Sequence, residues 1–153
     1  MIKRQKPAPA SKHERVELKI PADPRYVRVV RLTAAGVASA LNFSVDDVED
    51  IKLAVAEACN NAILHAKPPR GGKPATVTVI LIPAGDRLEI RVEDEGRILA
   101  PPQKKTRTGI GGGLPEGGLG LAIIETLMDE VQHFTGLDAN TTLRMVKYVR
   151  AIS

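Results

Sequence analysis

The stretch EGGLGLAII, Glu116 to Ile124, sets Gly117, Gly118 and Gly120 at the start of a predicted helix. Glycines there let backbone approach a ligand closely, and a first helical turn presents unpaired N–H groups with a partial positive charge. Such an arrangement binds phosphate; it equally describes a loop meeting a helix, with glycine for tight packing. In VEDEG, Val92 to Gly96, a predicted strand runs into Asp94-Glu95-Gly96. An Asp at a strand end with glycine two residues on marks a turn, or it presents a carboxylate at a pocket mouth, where it can accept from the amino group of a base. In KLAVAEACNNAILHA, Lys52 to Ala66, Glu57 and Asn61 stand four residues apart, hence about 40° apart around a helix. Both point away from the apolar stripe of Val48, Ile51, Val55 and Cys59. Asn in a helix interior is roughly 0.6 kcal/mol worse than Ala. Two in a row, Asn60 and Asn61, therefore need a reason, because a wet helix face is met more cheaply by Lys or Glu.

Other chemistries are readily set aside. RGGKPA has Pro after its Lys, so there is no P-loop, and Ile123 stands where a G-x-G-x-x-G would need its third glycine. His13, His65 and His133 show no metal-ligand spacing with one another, and no G-x-S-x-G elbow exists. Cys59 is the single cysteine, which excludes a disulfide framework or a multi-cysteine metal site and leaves a small packing residue.

The elements that must position these residues can be placed in order. RVELKIP alternates Val16, Leu18 and Ile20 and predicts a strand. A helix follows, with Asp23 as N-cap, Pro24 as first helical residue, and Val27, Val30, Ala34, Val37 and Leu41 as its stripe. Arg25, Arg28 and Arg31 form a basic flank beside that stripe. A second helix starts at Ser44, with Asp47 three residues on, and ends before KPPRGGKP. ATVTVILI and RLEIRVED, joined by PAGD, predict an antiparallel hairpin. GRILAPPQKKTRTGIGGGLPEGG is a long aperiodic loop of the kind that is functional or disordered. LGLAIIETLMDE is a third helix, and VQHFT and TTLRMVKYV are two closing strands joined by GLDAN. The expected fold class is α+β, a two-layer sandwich with a mixed, mostly antiparallel sheet and helices on one face.

The chain of 153 residues suits one domain, expected over 16–153 behind a basic, disordered leader over 1–15. An aromatic share of 3% means the core is built from Val, Ile, Leu and Ala. The net charge of +4 lies largely in the leader, and neither zinc-finger spacing nor an aromatic RNA-stacking motif accompanies it. Direct nucleic-acid binding is not expected. No apolar run is long enough to cross a bilayer and no signal core follows the first residues, so the expectation is no membrane and a cytoplasmic location.

In this order and spacing the three stretches resemble the motifs of the GHKL ATPase superfamily, the Bergerat fold. EACNNAILHA is similar to its N-box, DEG to its first glycine box and GGLGLAII to its second. Within that superfamily the chain resembles the bacterial anti-sigma factor serine-protein kinases of the RsbW/SpoIIAB group. The stretches IPADPRYVRVVRL, DDVEDIKLAVAEACNNAILHA, DRLEIRVEDEG, EGGLGLAIIETLMDEV and TTLRMVKYV carry the resemblance across nearly everything from Leu18 to Val149.

The resemblance implies ATP and Mg²⁺ as cofactors. It implies Asn61 as the ligand of the Mg²⁺ that bridges ATP phosphates, and Glu57 as the base that orients or deprotonates the attacking hydroxyl. Asp94 would recognise the adenine amino group, Gly96 would let the base lie close, and Thr141 would stand near the adenine. Gly118, Leu119 and Gly120 would hold phosphates through backbone N–H groups, with the preceding loop as a lid. Arg28 falls near an arginine the family uses for partner contacts. Two departures are visible: Ile98 and Asn140 stand where the family commonly has glycine. The implied role is a partner switch, in which a homodimeric kinase sequesters a sigma factor and phosphorylates a STAS-type anti-sigma factor antagonist on Ser or Thr. The alternative is a non-catalytic, ATP-binding adaptor in a bacterial stress-response pathway. A histidine kinase is disfavoured, since no phosphoacceptor-His hairpin precedes the motifs.

Overall fold

The computed structural model describes residues 14–68, 71–94, 118–135 and 141–150. The expected lid, Gly96, the turn GLDAN and all of the leader except Glu14 and Arg15 lie outside these residues. The elements run β1 (Val16–Pro21), a 3₁₀ turn (Pro24–Tyr26), α1 (Val27–Ala40), α2 (Val45–His65), β2 (Thr76–Ala84), β3 (Arg87–Asp94), α3 (Gly118–Leu127), β4 (Glu130–Thr135) and β5 (Thr141–Tyr148).

Local chemistry accounts for most boundaries. Asp23 caps as expected, its carboxylate accepting from the Arg25 N–H, but the turn that begins at Pro24 is 3₁₀, and the α-helix proper starts at Val27. Asn42, at φ 65, takes the left-handed position just past α1, which Asn tolerates better than most residues. The Ser44 hydroxyl accepts from the Asp47 N–H and starts α2. Gly85, at φ 52, supplies the turn of the β2–β3 hairpin, where Ala84 pairs with Arg87. α3 stops at Leu127, three residues short of the expected helix. The Asp129 carboxylate accepts from the Tyr148 N–H and its own N–H donates to Val146, which commits Asp129–Glu130 to the sheet.

The sheet order is β1-β2-β3-β5-β4, and every neighbouring pair is antiparallel. This corrects the expectation of a mixed sheet. β4 does run in the same direction as β3, but β5 is inserted between them, so no parallel pair forms among the described residues. The three helices cover one face, as expected. Alternation along the strands turns Val77, Val79 and Leu81, then Leu88, Ile90 and Val92, then Leu143 and Met145 toward them. Val30 and Ala34 of α1, Ile51, Val55 and Cys59 of α2, and Ile124 of α3 complete a core nearly without aromatics. The opposite face is polar in its middle, where the Arg144 guanidinium donates to Glu89, Glu130 and Gln132. No helix among the described residues is long and apolar enough to cross a membrane.

Candidate nucleotide site

α2 carries the first part of the site. Its core side packs Ile51, Val55, Cys59 and Ala62, and the edge beside that stripe bears Glu57, Asn61 and His65 at successive fourth positions. Glu57 and Asn61 are half-buried, while the neighbouring Asn60 is exposed. The adjacent asparagines thus serve two surfaces. Asn61 lines a pocket between α2, α3 and the sheet, and Asn60 lines a groove against α1.

α3 closes on that edge. A Cβ placed on Gly120 would lie 3.0 Å from Glu57 Oε2 and 3.3 Å from Asn61 Nδ2. The first turn of α3 therefore meets the carboxylate and the carboxamide with bare backbone, and a side chain at 120 would have to displace them. This contact brings together two stretches that are 59 residues apart at Asn61 and Gly120. Leu119 is 75% exposed, so its part in any ligand contact is through its backbone. Gly118 opens the helix.

The sheet supplies the floor. Asp94, the last residue of β3, is buried at 6% exposure, and its register partner on β5 is Thr141. The Thr141 N–H donates to Asp94 Oδ1 at 3.4 Å. The carboxylate faces the pocket, where it could accept from a ligand as well. Burial pushes its pKa up, against the opposing pull of the Thr141 N–H and the His65 imidazole. The pocket that holds Asp94 and Thr141 is lined also by Asn61, His65 and His133, with Ala58, Ala62, Val92, Leu121 and Leu143 as apolar walls. Its walls are mainly apolar with a few convergent polar groups, the general character of a small-molecule site.

Most of the expected site residues therefore converge. Gly120 stands close against Glu57 and Asn61, and Asn61, Asp94 and Thr141 share one pocket. Gly96 lies outside the described residues. Arg28 is elsewhere, on α1, where Arg25, Arg28, Arg31 and Asn60 line the outer groove. Sequence reasoning missed His65 and His133, which it judged only as metal ligands. The spacing of His65 from Asn61 was a usable signal. His133 had none, because its place in the pocket depends on β4 pairing His133 with Leu143.

The residues present also fit Mg²⁺ and a phosphate chain. Among the described residues no three His, Cys, Asp or Glu side chains converge as a metal cluster. Mg²⁺ in nucleotide sites is held by one or two protein oxygens together with substrate phosphates. Asn61 Oδ1, on the wall of the pocket, is an oxygen of the type that would hold the ion.

The histidine kinase-like ATPase domain family matches residues 20–147, which makes this five-stranded sheet with helices on one face an ATPase domain. Serine-protein kinase RsbW of Bacillus subtilis is 43% identical over 143 residues, covering 88% of this chain and 85% of its own. The protein of the same name from Bacillus pumilus is 41% identical over 140 residues, with the same two coverages. The chain belongs to the RsbW branch of the histidine kinase-like ATPase family. Its fold is also that of the crystal structure of the RsbU and RsbW domains of Rv1364c from Mycobacterium tuberculosis, with a TM-score of 0.62 at 20% identity. That match covers 92% of this chain and 34% of the longer mycobacterial one.

Proposed function

We propose that this chain is an ATP- and Mg²⁺-dependent serine-protein kinase that acts as an anti-sigma factor, and that 16–153 is its catalytic unit. The observation that carries this reading is the approach of Gly120 to Glu57 and Asn61, where Asn61 shares a pocket with Asp94. It supports the reading because a glycine helix start, a carboxylate and a carboxamide stand together beside the pocket, the set of groups that phosphate and Mg²⁺ would need.

In this reading Asp94 accepts from the adenine amino group and Thr141 flanks it, with Gly96 allowing the ring to lie close. The N–H groups of Gly118, Leu119 and Gly120 donate to phosphate oxygens, helped by the positive end of α3. Asn61 Oδ1 would hold Mg²⁺, whose part when bound would be to neutralise phosphate charge. Glu57 accepts the proton of a serine hydroxyl and holds its oxygen in line with the phosphorus. Phosphoryl transfer needs positioning and electrostatics more than covalent help, so one general base is enough.

The partners in this reading are a sigma factor, held inactive, and a STAS-type antagonist, which receives the phosphate. The kinase works as a homodimer in the cytoplasm, without direct contact to nucleic acid or membrane. Arg28 belongs to the partner surface. Its groove carries Arg25, Arg28 and Arg31, a basic lining that suits an acidic partner surface.

Calorimetric titration with ATP, with and without Mg²⁺, tests the site. Binding that requires Mg²⁺ and vanishes in Asn61→Ala is expected. Undiminished Mg·ATP binding by that variant would contradict the metal assignment, and nucleotide binding without any transfer to a serine would favour the adaptor.

A further inference from the structure

Among the described residues two buried charges play no part in the proposed chemistry, Glu89 on the polar face of the sheet and Lys147, and Lys147 is the more deeply buried. It stands on β5 in phase with Leu143 and Met145, on the helix-facing side of the sheet, and is only 3% exposed. Its register partner Leu88 is fully buried. An apolar side chain there would avoid the desolvation of an ammonium, so the charge must be compensated. Three groups compensate it. Lys147 Nζ donates to the carbonyl oxygen of Leu127, the last residue of α3, at 2.5 Å. Asp47 Oδ1 and Asp50 Oδ2, both in the first turns of α2, lie at 3.8 and 3.9 Å. The ammonium thus joins the negative end of one helix to two carboxylates on the other.

The two helices run antiparallel. The start of α3 meets α2 at Glu57 and Asn61 through Gly120, and its end meets the beginning of α2 through Lys147. From Gly120 to Leu127 a rigid helix spans only about 10 Å. A shift at its C-terminus is therefore carried to the glycine turn, because a packed helix moves as a body.

We propose that Lys147 is a positioning residue for the nucleotide site: its ammonium pins the end of α3 to the start of α2 and so sets where Gly120 sits against Glu57 and Asn61. This rests on the reading of that corner as the phosphate end of an ATP site. The test uses the full chain and Lys147→Met, a side chain of similar length without the charge, well below its melting temperature. In nucleotide-free protein the α3 amides should exchange with deuterium about ten-fold faster than in wild type, the loss expected for a charge-assisted hydrogen bond. The KM for ATP should rise by a similar factor, with kcat changed much less. Asp47→Asn with Asp50→Asn, which keeps the donor and removes the counter-charges, should move both readouts in the same direction and provides the test if the Met variant does not fold. A lowered melting temperature with unchanged α3 exchange and unchanged KM would overturn the proposal and leave Lys147 a structural residue. Failure of wild type to bind Mg·ATP would instead overturn the functional reading, and the exchange experiment separates the two because it needs no nucleotide.

Discussion

Gly120 and Asp94 are the residues where the fold and the proposed activity make opposite demands. Gly is up to about 1 kcal/mol worse than Ala in a helix, less so in the first turn where Gly120 stands, so Gly120→Ala ought by propensity to strengthen α3 slightly. A Cβ there would meet Glu57 and Asn61 at 3.0 and 3.3 Å, so the substitution should weaken Mg·ATP binding about ten-fold or more while leaving the melting temperature level or slightly raised. Parallel calorimetry and thermal melts would check this. Asp94 has the same character. Its folded pKa is raised by burial, so the folded state holds a proton more tightly than the unfolded chain does. Stability contributed by the protonated form is then lost as pH rises from the ordinary carboxylate range through the folded value, and the ionised group is a net cost at neutral pH. Asp94→Asn should raise the neutral-pH melting temperature and abolish ATP binding. In wild type, lowering the pH should weaken ATP binding above the range where an exposed Asp titrates, because the protonated carboxyl has lost an acceptor. Constant affinity through that range would remove Asp94 as the partner of the base.

At the scale of elements, α2 serves at once as core, site wall and outer surface. Its start depends on the Ser44 cap, and Ser44→Ala should lower unfolding free energy by about 1 kcal/mol in urea denaturation, without touching the pocket directly. Its middle buries Cys59, whose thiol is pushed up to about 12 by desolvation. Native protein should therefore resist thiol reagents at neutral pH and react only as it unfolds, and rapid labelling of the folded chain would contradict the packing described. Most of this was legible beforehand. Periodicity located the helices, and the Gly-rich run before LGLAII marked where backbone had to come close. What local pattern could not show was the insertion of β5 between β3 and β4. That pairing sets Thr141 opposite Asp94 and brings His133 to the pocket, and it depends on contacts spanning dozens of residues. For the same reason nothing in TTLRMVKYV alone distinguishes Lys147 as a charge that faces the helices.

At the scale of the whole molecule, the site lies on the helical side of the sheet between α2 and α3, and the arginine groove lies on the other side of α2. A kinase that must hold one partner and phosphorylate another gains from this division, since α2 borders both surfaces through Asn60 and Asn61. Arg28→Glu should weaken binding to an acidic protein partner, with a loss of association rate that salt reproduces in wild type, while Mg·ATP affinity stays unchanged. Loss of ATP binding in that variant would mean the two surfaces are not separate. The central claim is tested most directly by incubating the chain with Mg·ATP and its antagonist protein and weighing the intact antagonist by mass spectrometry. The account predicts the added mass of one phosphate on a serine or threonine, dependent on Mg²⁺ and absent with Glu57→Ala although that variant still binds nucleotide. An antagonist that stays unmodified by wild type while forming a stable complex with it, or full transfer by Glu57→Ala, would contradict the account.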